Sequence, residues 1–350
     1  AANMTKESLI QPYGIAADNN FYMTNHQDLI FIPEVELRDN QRMAEENPVR
    51  VEVERAVAKV VVSGVPEVVP HGDRIDNLKW GLDVTNMYTY WMRKMTFIAN
   101  SGGVPNEMEQ LNAGYREERY AEDPNFTRFS SWNGGNPVGQ FEYLSGTPEL
   151  SKNFDDYDYT LENTMDAADQ RHDVTTRVVI SGTYTPNGFG SVATRNGGGI
   201  SFYYFKGNAI RVEAMRDMVN DRGQIPQELR DAGLEQAIEN VLAWNPNAFN
   251  SPTASFSEGG INFYYQGVCY YTVLIRHFSN NMVPVLMGYG RYGVVRNNVY
   301  QLSINKIIGP GQPVINPPGT DPDDEDTSWI SADVNIMRWY IRNQNVEELL

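Results

Sequence analysis

The sequence predicts a mainly β protein. Three observations carry that prediction. Short runs alternate apolar and polar residues, as where Val49, Val51 and Val53 are interleaved with Arg50, Glu52 and Glu54, the period of a half-buried strand. The runs are rich in aromatics, with 20 tyrosines and 29 glycines in 350 residues, a balance that favours strands and tight turns over helices. Glycine, proline and asparagine clusters separate the runs at short intervals. The length makes two domains the natural expectation, and a 41% hydrophobic, 21% charged composition suits globular cores.

The elements follow in order. Residues 36–46 suit a short helix ended by Asn47 and Pro48. The strand VRVEVERAVAKVVVSG covers 49–64; from Ala56 to Val62 it is nearly all apolar, with Lys59 interrupting, which predicts a face switch or a fully buried second half. LKWGLDVTNMYTYWMRK reads as further strand, residues 100–153 as loop-rich, and YTLENTM (159–165) as the close of the first half. A polar segment, DAADQRHDVTT (166–176), predicts the boundary, giving an N-terminal domain over 1–174 and a C-terminal one over 175–308. The second half opens with RVVISGTYTPNG (177–188), and turns are expected at Asn187-Gly188 and Asn196-Gly197. ISFYYFKGN is another strand. A helical insertion is expected over about 208–244, with Pro226 opening a helix whose Leu229, Leu234, Ile238, Val241 and Leu242 approximate one face. GGINFYYQGVCYYTVLIRH (259–277) and GVVRNNVYQLSINKII (293–308) complete the strands.

The C-terminus differs in character. Residues 309–328, GPGQPVINPPGTDPDDEDTS, are proline-rich and acidic and show no packing face. They read as an extended linker, and at ~3.1 Å per residue such a segment reaches roughly 60 Å. Beyond it, in 329–350, ISADVNIMRWYI is strand-like. Ile330, Ala332, Val334 and Ile336 share one face, then the apolar set shifts to Met337, Trp339 and Ile341. A one-residue shift of phase predicts a bulge or twist near 336 and 337. An edge strand folded back on the chain's own sheet is one reading; a strand delivered to another molecule is the other, and the length of the linker favours it. Burying four or five such side chains contributes about 6–12 kcal/mol before ordering costs.

Little else suggests chemistry. The net charge of −17 offers no basic stripe for nucleic acid and is accounted for by solubility. The single cysteine, Cys269, allows no intrachain disulfide and sits in an apolar run that suits a buried thiol. His26, His71, His172 and His277 have no metal-ligand spacing. Counted from Asp321, the acidic run places Asp326 and Ala332 where a calcium loop needs glycine and glutamate, so it reads as a solvated charge run on a linker. RNGGG (195–199) lacks a phosphate-loop lysine, and the acidic pair Asp155 and Asp156 is one expected by chance. No catalytic, cofactor or metal residue is predicted. Trp132 and Trp244 are candidates for a carbohydrate platform.

VEVERAVAKVVV, YTLENTMDAADQRHDVTTRVVISGTYTP, QGVCYYTVLIRH and YGVVRNNVYQLSINKIIGPGQP with the acidic linker and SADVNIMRWYI together resemble, in order and spacing, the FimA-superfamily fimbrillins of Bacteroidales (type V pilins), and within them the Mfa-type major subunit. The resemblance implies two transthyretin-like β-sandwich domains, export as an outer-membrane lipoprotein precursor, trimming by a maturation protease, and an extracellular fimbria on a Gram-negative cell. It implies a homopolymer grown by donor-strand exchange, with accessory tip and anchor proteins, host or bacterial receptors, and roles in adhesion and biofilm formation. The donor would be Ile330 to Ile341, with Ile330, Ala332, Val334, Ile336, Trp339 and Ile341 as its apolar residues. A tip or anchor subunit, or a secreted carbohydrate-binding adhesin, is the alternative. The family usually carries a longer region before the VERAVAKV strand, so the first strands of the N-terminal domain are expected to be missing or the subunit compact.

Overall fold

A computed structural model describes residues 3–5, 16–17, 20–25, 32–34, 37–49, 51–94, 120–126, 140–190, 199–277, 290–323 and 330–338. It is mainly β, as the sequence predicts. The first sheet is built on β1 (Val57–Ser63), whose neighbours are β4 (Tyr157–Leu161), antiparallel, and β11 (Asn298–Ile308), parallel. The far side of β11 carries β12 (Ile330–Arg338), and the short β2 (Glu67–Val69) extends the β1 side of β11. The second sheet orders β10 (Val268–Leu274), β5 (Arg177–Thr185) and β3 (Arg74–Asp83), all antiparallel. The third orders β7 (Asn208–Arg211), β6 (Phe202–Phe205), β9 (Ile261–Tyr264) and β8 (Phe256–Glu258). Helix α1 (Gln41–Glu46) lies near the N-terminal end, capped by Asn40, whose Oδ1 accepts from Met43 N at 3.0 Å.

Side-chain alternation explains the order of the layers. In β1, Ala58, Val60 and Val62 are fully buried while Lys59 and Val61 face outward. The expected interruption at Lys59 is therefore ordinary alternation; its ammonium lies 4.2 Å from the Tyr157 ring centroid, a cation–π contact. The buried set meets Trp80 of β3, Val178, Ile180 and Tyr184 of β5, Tyr271 of β10, and Tyr300, Leu302, Ile304 and Ile307 of β11 in one core. The runs FYYF and INFYY look unpatterned because the third sheet is covered on both faces. Phe202 and Tyr264 point into that first core, stacked with centroids 4.7 Å apart. Tyr203, Phe205, Ile261 and Phe263 point into a second core closed by helices.

Those helices are α2 (Val212–Asn220), α3 (Gln227–Asp231) and α4 (Leu234–Trp244). The single helix expected from Pro226 is broken at Gly233, whose φ of 91° no helix accommodates. Leu234, Ile238 and Val241 are buried, and Leu229 and Leu242 pack at the margin. Helix α2, which buries Met215 and Met218, lies within the helical insertion expected over about 208–244.

The sheets do not follow the division expected at 174/175. β3 and β5, on either side of that segment, pair with each other, and β1 pairs with β11. The polar segment 166–176 is itself half-buried or buried over most of its length, with Gln170, Thr175 and Thr176 fully covered. Its polarity is satisfied internally, for example by Thr176 Oγ1 donating to Val84 O at 2.8 Å, so it does not mark a solvated linker. The turn at Asn187-Gly188 is present, with Gly188 at φ 77°; Asn196-Gly197 lies outside the described residues. No helix among the described residues is long and apolar enough to cross a membrane.

Candidate polymerisation site

The site is the ladder between β11 and β12 together with the segment that joins them. β11 alternates buried and half-exposed residues, and Tyr300, Leu302, Ile304 and Ile307 form its core-facing set. β12 runs antiparallel to it, from Asn298 opposite Arg338 to Ile307 opposite Ile330. In this register Ile336 stands opposite Tyr300, Val334 opposite Leu302, Ala332 opposite Ile304, and Ile330 opposite Ile307. Directly opposed residues share a face of the sheet. The four residues singled out from sequence periodicity are thus at the register positions of the core-facing face. Trp339 and Ile341 lie outside the described residues.

The phase shift expected near 336 and 337 is not where the ladder breaks. Pairing stays regular through Met337 and Arg338, and the irregularity falls between Ile304 and Lys306 on β11. Asn305 is the extra residue and is exposed. A bulge there lets Ile304 and Ile307, three apart, both reach the core. Nothing in the β12 sequence could reveal it, because the inserted residue belongs to the partner strand.

The N-terminal end of β11 is anchored by buried charge. Arg296 and Glu162 are both fully buried and paired at 3.1 Å. The same guanidinium donates to Thr89 Oγ1 and Tyr90 O at 3.0 Å each. Next to it Arg93 pairs with Glu54 at 2.8 Å and donates to Arg296 O at 3.3 Å. Burial works against the charge on Arg93, but the Glu54 and Glu162 carboxylates outweigh it and raise its pKa. Tyr300 Oη accepts from Val295 N at 2.8 Å and lies 2.7 Å from His277 Nδ1. These groups hold β11 in place from one end. Asp123 sits nearby, fully buried. Burial pushes its carboxyl up to about 7 against hydrogen bonds from Thr164 N and Asn125 N.

The segment after β11 is not the free tether that the sequence suggested. Residues 309–323 form a strap along the body. Gly309, Pro310, Gly311, Pro313, Ile315 and Asp323 are buried. Tyr271 Oη donates to Gly309 O at 2.8 Å and Tyr264 Oη to Gly311 O at 2.6 Å. Tyr270 and Gln312 exchange backbone hydrogen bonds at 2.8 and 2.9 Å, and Gly146 and Ile315 do so at 2.8 and 2.7 Å. At the far end Asp323 N donates to Gln170 O at 3.2 Å, and its carboxylate accepts from Thr175 Oγ1 at 2.6 Å. Asp323 therefore departs from the expected solvated charge run. Prolines permit this packing because they bring apolar rings and no N–H to satisfy. Gly311 is required: at φ 59° a Cβ would lie 2.4 Å from Tyr270 O.

The remaining candidates are quickly placed. Cys269 is fully buried, and burial pushes its thiol up to about 12. Trp80 is buried, with Nε1 donating to Asn153 O at 2.8 Å. Trp244 is 54% exposed and packs on Phe256; Trp132 lies outside the described residues. No cluster of metal-ligating side chains occurs among the described residues.

Residues 262–345 match the family model described as major fimbrial subunit protein type IV, fimbrillin, C-terminal. That part of the chain is similar to the C-terminal part of fimbrillins. The matched span runs from β9 through the strap and β12, so it contains the β11–β12 ladder and the segment that joins the two strands. The resemblance read from the sequence is borne out at that level, while the Mfa type is not distinguished. Among solved structures, a fimbrilin of Porphyromonas gingivalis W83 is 15% identical with a TM-score of 0.36, over 84% of this chain and 61% of that one. A candidate cell adhesion protein of Parabacteroides distasonis ATCC 8503 is 11% identical with a TM-score of 0.32, over 84% and 61%. One of Bacteroides eggerthii DSM 20697 is 12% identical with a TM-score of 0.29, over 83% and 57%. The chain thus spans less than two thirds of the structures it matches. No curated protein matches it.

Proposed function

We propose that this chain is a structural subunit of a cell-surface fimbria and that it polymerises by exchanging β12 between copies. The observation that carries this is the β11–β12 register. A C-terminal strand sets its apolar alternation opposite the core-facing residues of β11, and pairs with one strand only among the described residues. An element of that kind can be replaced by the same element of a second copy, contact for contact. Each subunit then gives one strand and receives one, a head-to-tail interface that propagates as a filament. The fimbrillin match over residues 262–345 supports a fimbrial role, and the other partners implied by the resemblance, accessory tip and anchor subunits, surface receptors and a maturation protease, belong to this reading.

Deletion of 329–350 tests it. The truncated chain is expected to stay folded, to form no filaments, and to regain thermal stability when a peptide of residues 329–350 is added. Filaments of normal length from the truncated chain would end the proposal.

A further inference from the structure

The strap bears on how far a donated strand can travel, and this inference rests on the exchange proposed above. A free linker would start at Ile308 and leave 22 residue steps before Ile330, about 70 Å of extended chain at ~3.3 Å each. The strap is not free. Two tyrosine hydroxyls hold its first residues, reciprocal backbone pairs hold Gln312 and Ile315, and Thr175 with Gln170 holds Asp323. Ile315 also packs against Val179 and Tyr270 on the face of the second sheet. Among the described residues β12 has one partner strand, whereas the strap contacts the body through β5, β9, β10 and the 144–150 and 170–175 segments.

We infer that strand exchange leaves the strap clamped to the donating subunit, so that the donor arm begins only after Asp323 and its acceptor is a second copy of this chain seated directly against the donor. From Asp323 to Ile330 there are seven residue steps, about 25 Å at full extension. The Ile307 end of the acceptor's β11 must come within that distance of the donor's Asp323. Neighbours in the filament are then closely abutted bodies, not beads on long strings, and their relative orientation is restricted by the clamp.

Two engineered disulfides separate this inference from the exchange itself. R171C/P322C joins the strap to the body at an antiparallel bridge, and S303C/D333C joins β12 to its own β11. Directly opposed positions have Cα separations that a disulfide tolerates, and the native Cys269 is too buried to compete. The full chain is oxidised before assembly, and filaments are viewed by negative-stain electron microscopy with disulfide content read on non-reducing gels. The expected result is that R171C/P322C assembles with its disulfide intact, while S303C/D333C assembles only after reduction. If both assemble only after reduction, the strap must peel away, and the inference fails while exchange stands. If oxidised S303C/D333C assembles, exchange itself fails, and the inference with it. Hydrogen exchange on the unsubstituted chain gives an independent reading should R171C/P322C not fold. The Gln312 and Ile315 amides should be as protected in filaments as in monomers, and loss of that protection on assembly would overturn the inference.

Discussion

Val334→Asp should turn this subunit into a chain terminator. Val334 stands opposite Leu302, which is fully buried in the first core. Replacing the valine forfeits about 1.5–3 kcal/mol of apolar burial. Placing a carboxylate at that position costs several kcal/mol more, because the residues of β11 on that face of the ladder, Tyr300, Leu302 and Ile304, are buried and offer no charge to pair with it. A total near 5 kcal/mol corresponds to more than a thousandfold loss of strand binding. The cheapest response is release of β12, since the strand is joined to one neighbour while the strap and both cores remain. The variant's own β11 edge is intact, so it can still receive a wild-type strand but cannot give one. Mixed at one part in ten with wild-type subunits, it should limit filaments to about ten subunits on average. Alone, it should give folded monomers. Filament length measured by electron microscopy against mole fraction tests this, with Asn335→Asp, at a position opposite the half-exposed Gln301, as the control that should leave length unchanged. Val334→Asp filaments of wild-type length would refute the assignment of Val334 to the core-facing register and the role of β12 in assembly.

Three further outcomes are expected. Glu162→Gln strands the buried Arg296 guanidinium, and chemical denaturation should show a loss of about 3–5 kcal/mol. The raised carboxyl of Asp123, about 7 when folded, means that the folded state holds a proton that the unfolded chain releases near 4. Its contribution is favourable at low pH and is lost as pH rises toward 7, so Asp123→Asn should gain on the wild type by about 2 kcal/mol between pH 5 and pH 7 in denaturation curves taken at each pH. Cys269 should resist thiol reagents at pH 8 in the native state and react fully in denaturant; rapid native labelling would contradict its burial.

Much of this fold can be read from periodicity. The alternation in 57–63 located a strand because one face lies on a core and the other nearer solvent, whereas in 51–54 the expected faces are reversed: Val51 and Val53 are exposed and Glu54 is buried against Arg93. Where both faces are covered, as in FYYF and INFYY, strand character was legible but not the partner layers, since alternation carries no information when every position is apolar. The helical insertion was legible as a span, and its apolar face was legible in α4 but not in α2, where two methionines on a short element supply most of it. The prolines of 309–323 misled for a physical reason: a strap held by its few N–H groups and by tyrosines from distant strands has the same local composition as a free linker.

What the sequence by itself determined is most of the longer strands, the burial of Cys269, and the alternation of Ile330, Ala332, Val334 and Ile336, because these depend on residues one or two apart. Which strand β12 lies against, the bulge at Asn305, the sharing of sheets across residues 166–176, and the clamp on Asp323 were decided only by tertiary structure. Each depends on contacts between residues tens to hundreds of positions apart, where hydrogen-bond partners and buried ion pairs such as Arg296 with Glu162 select one arrangement among many that local patterning allows equally.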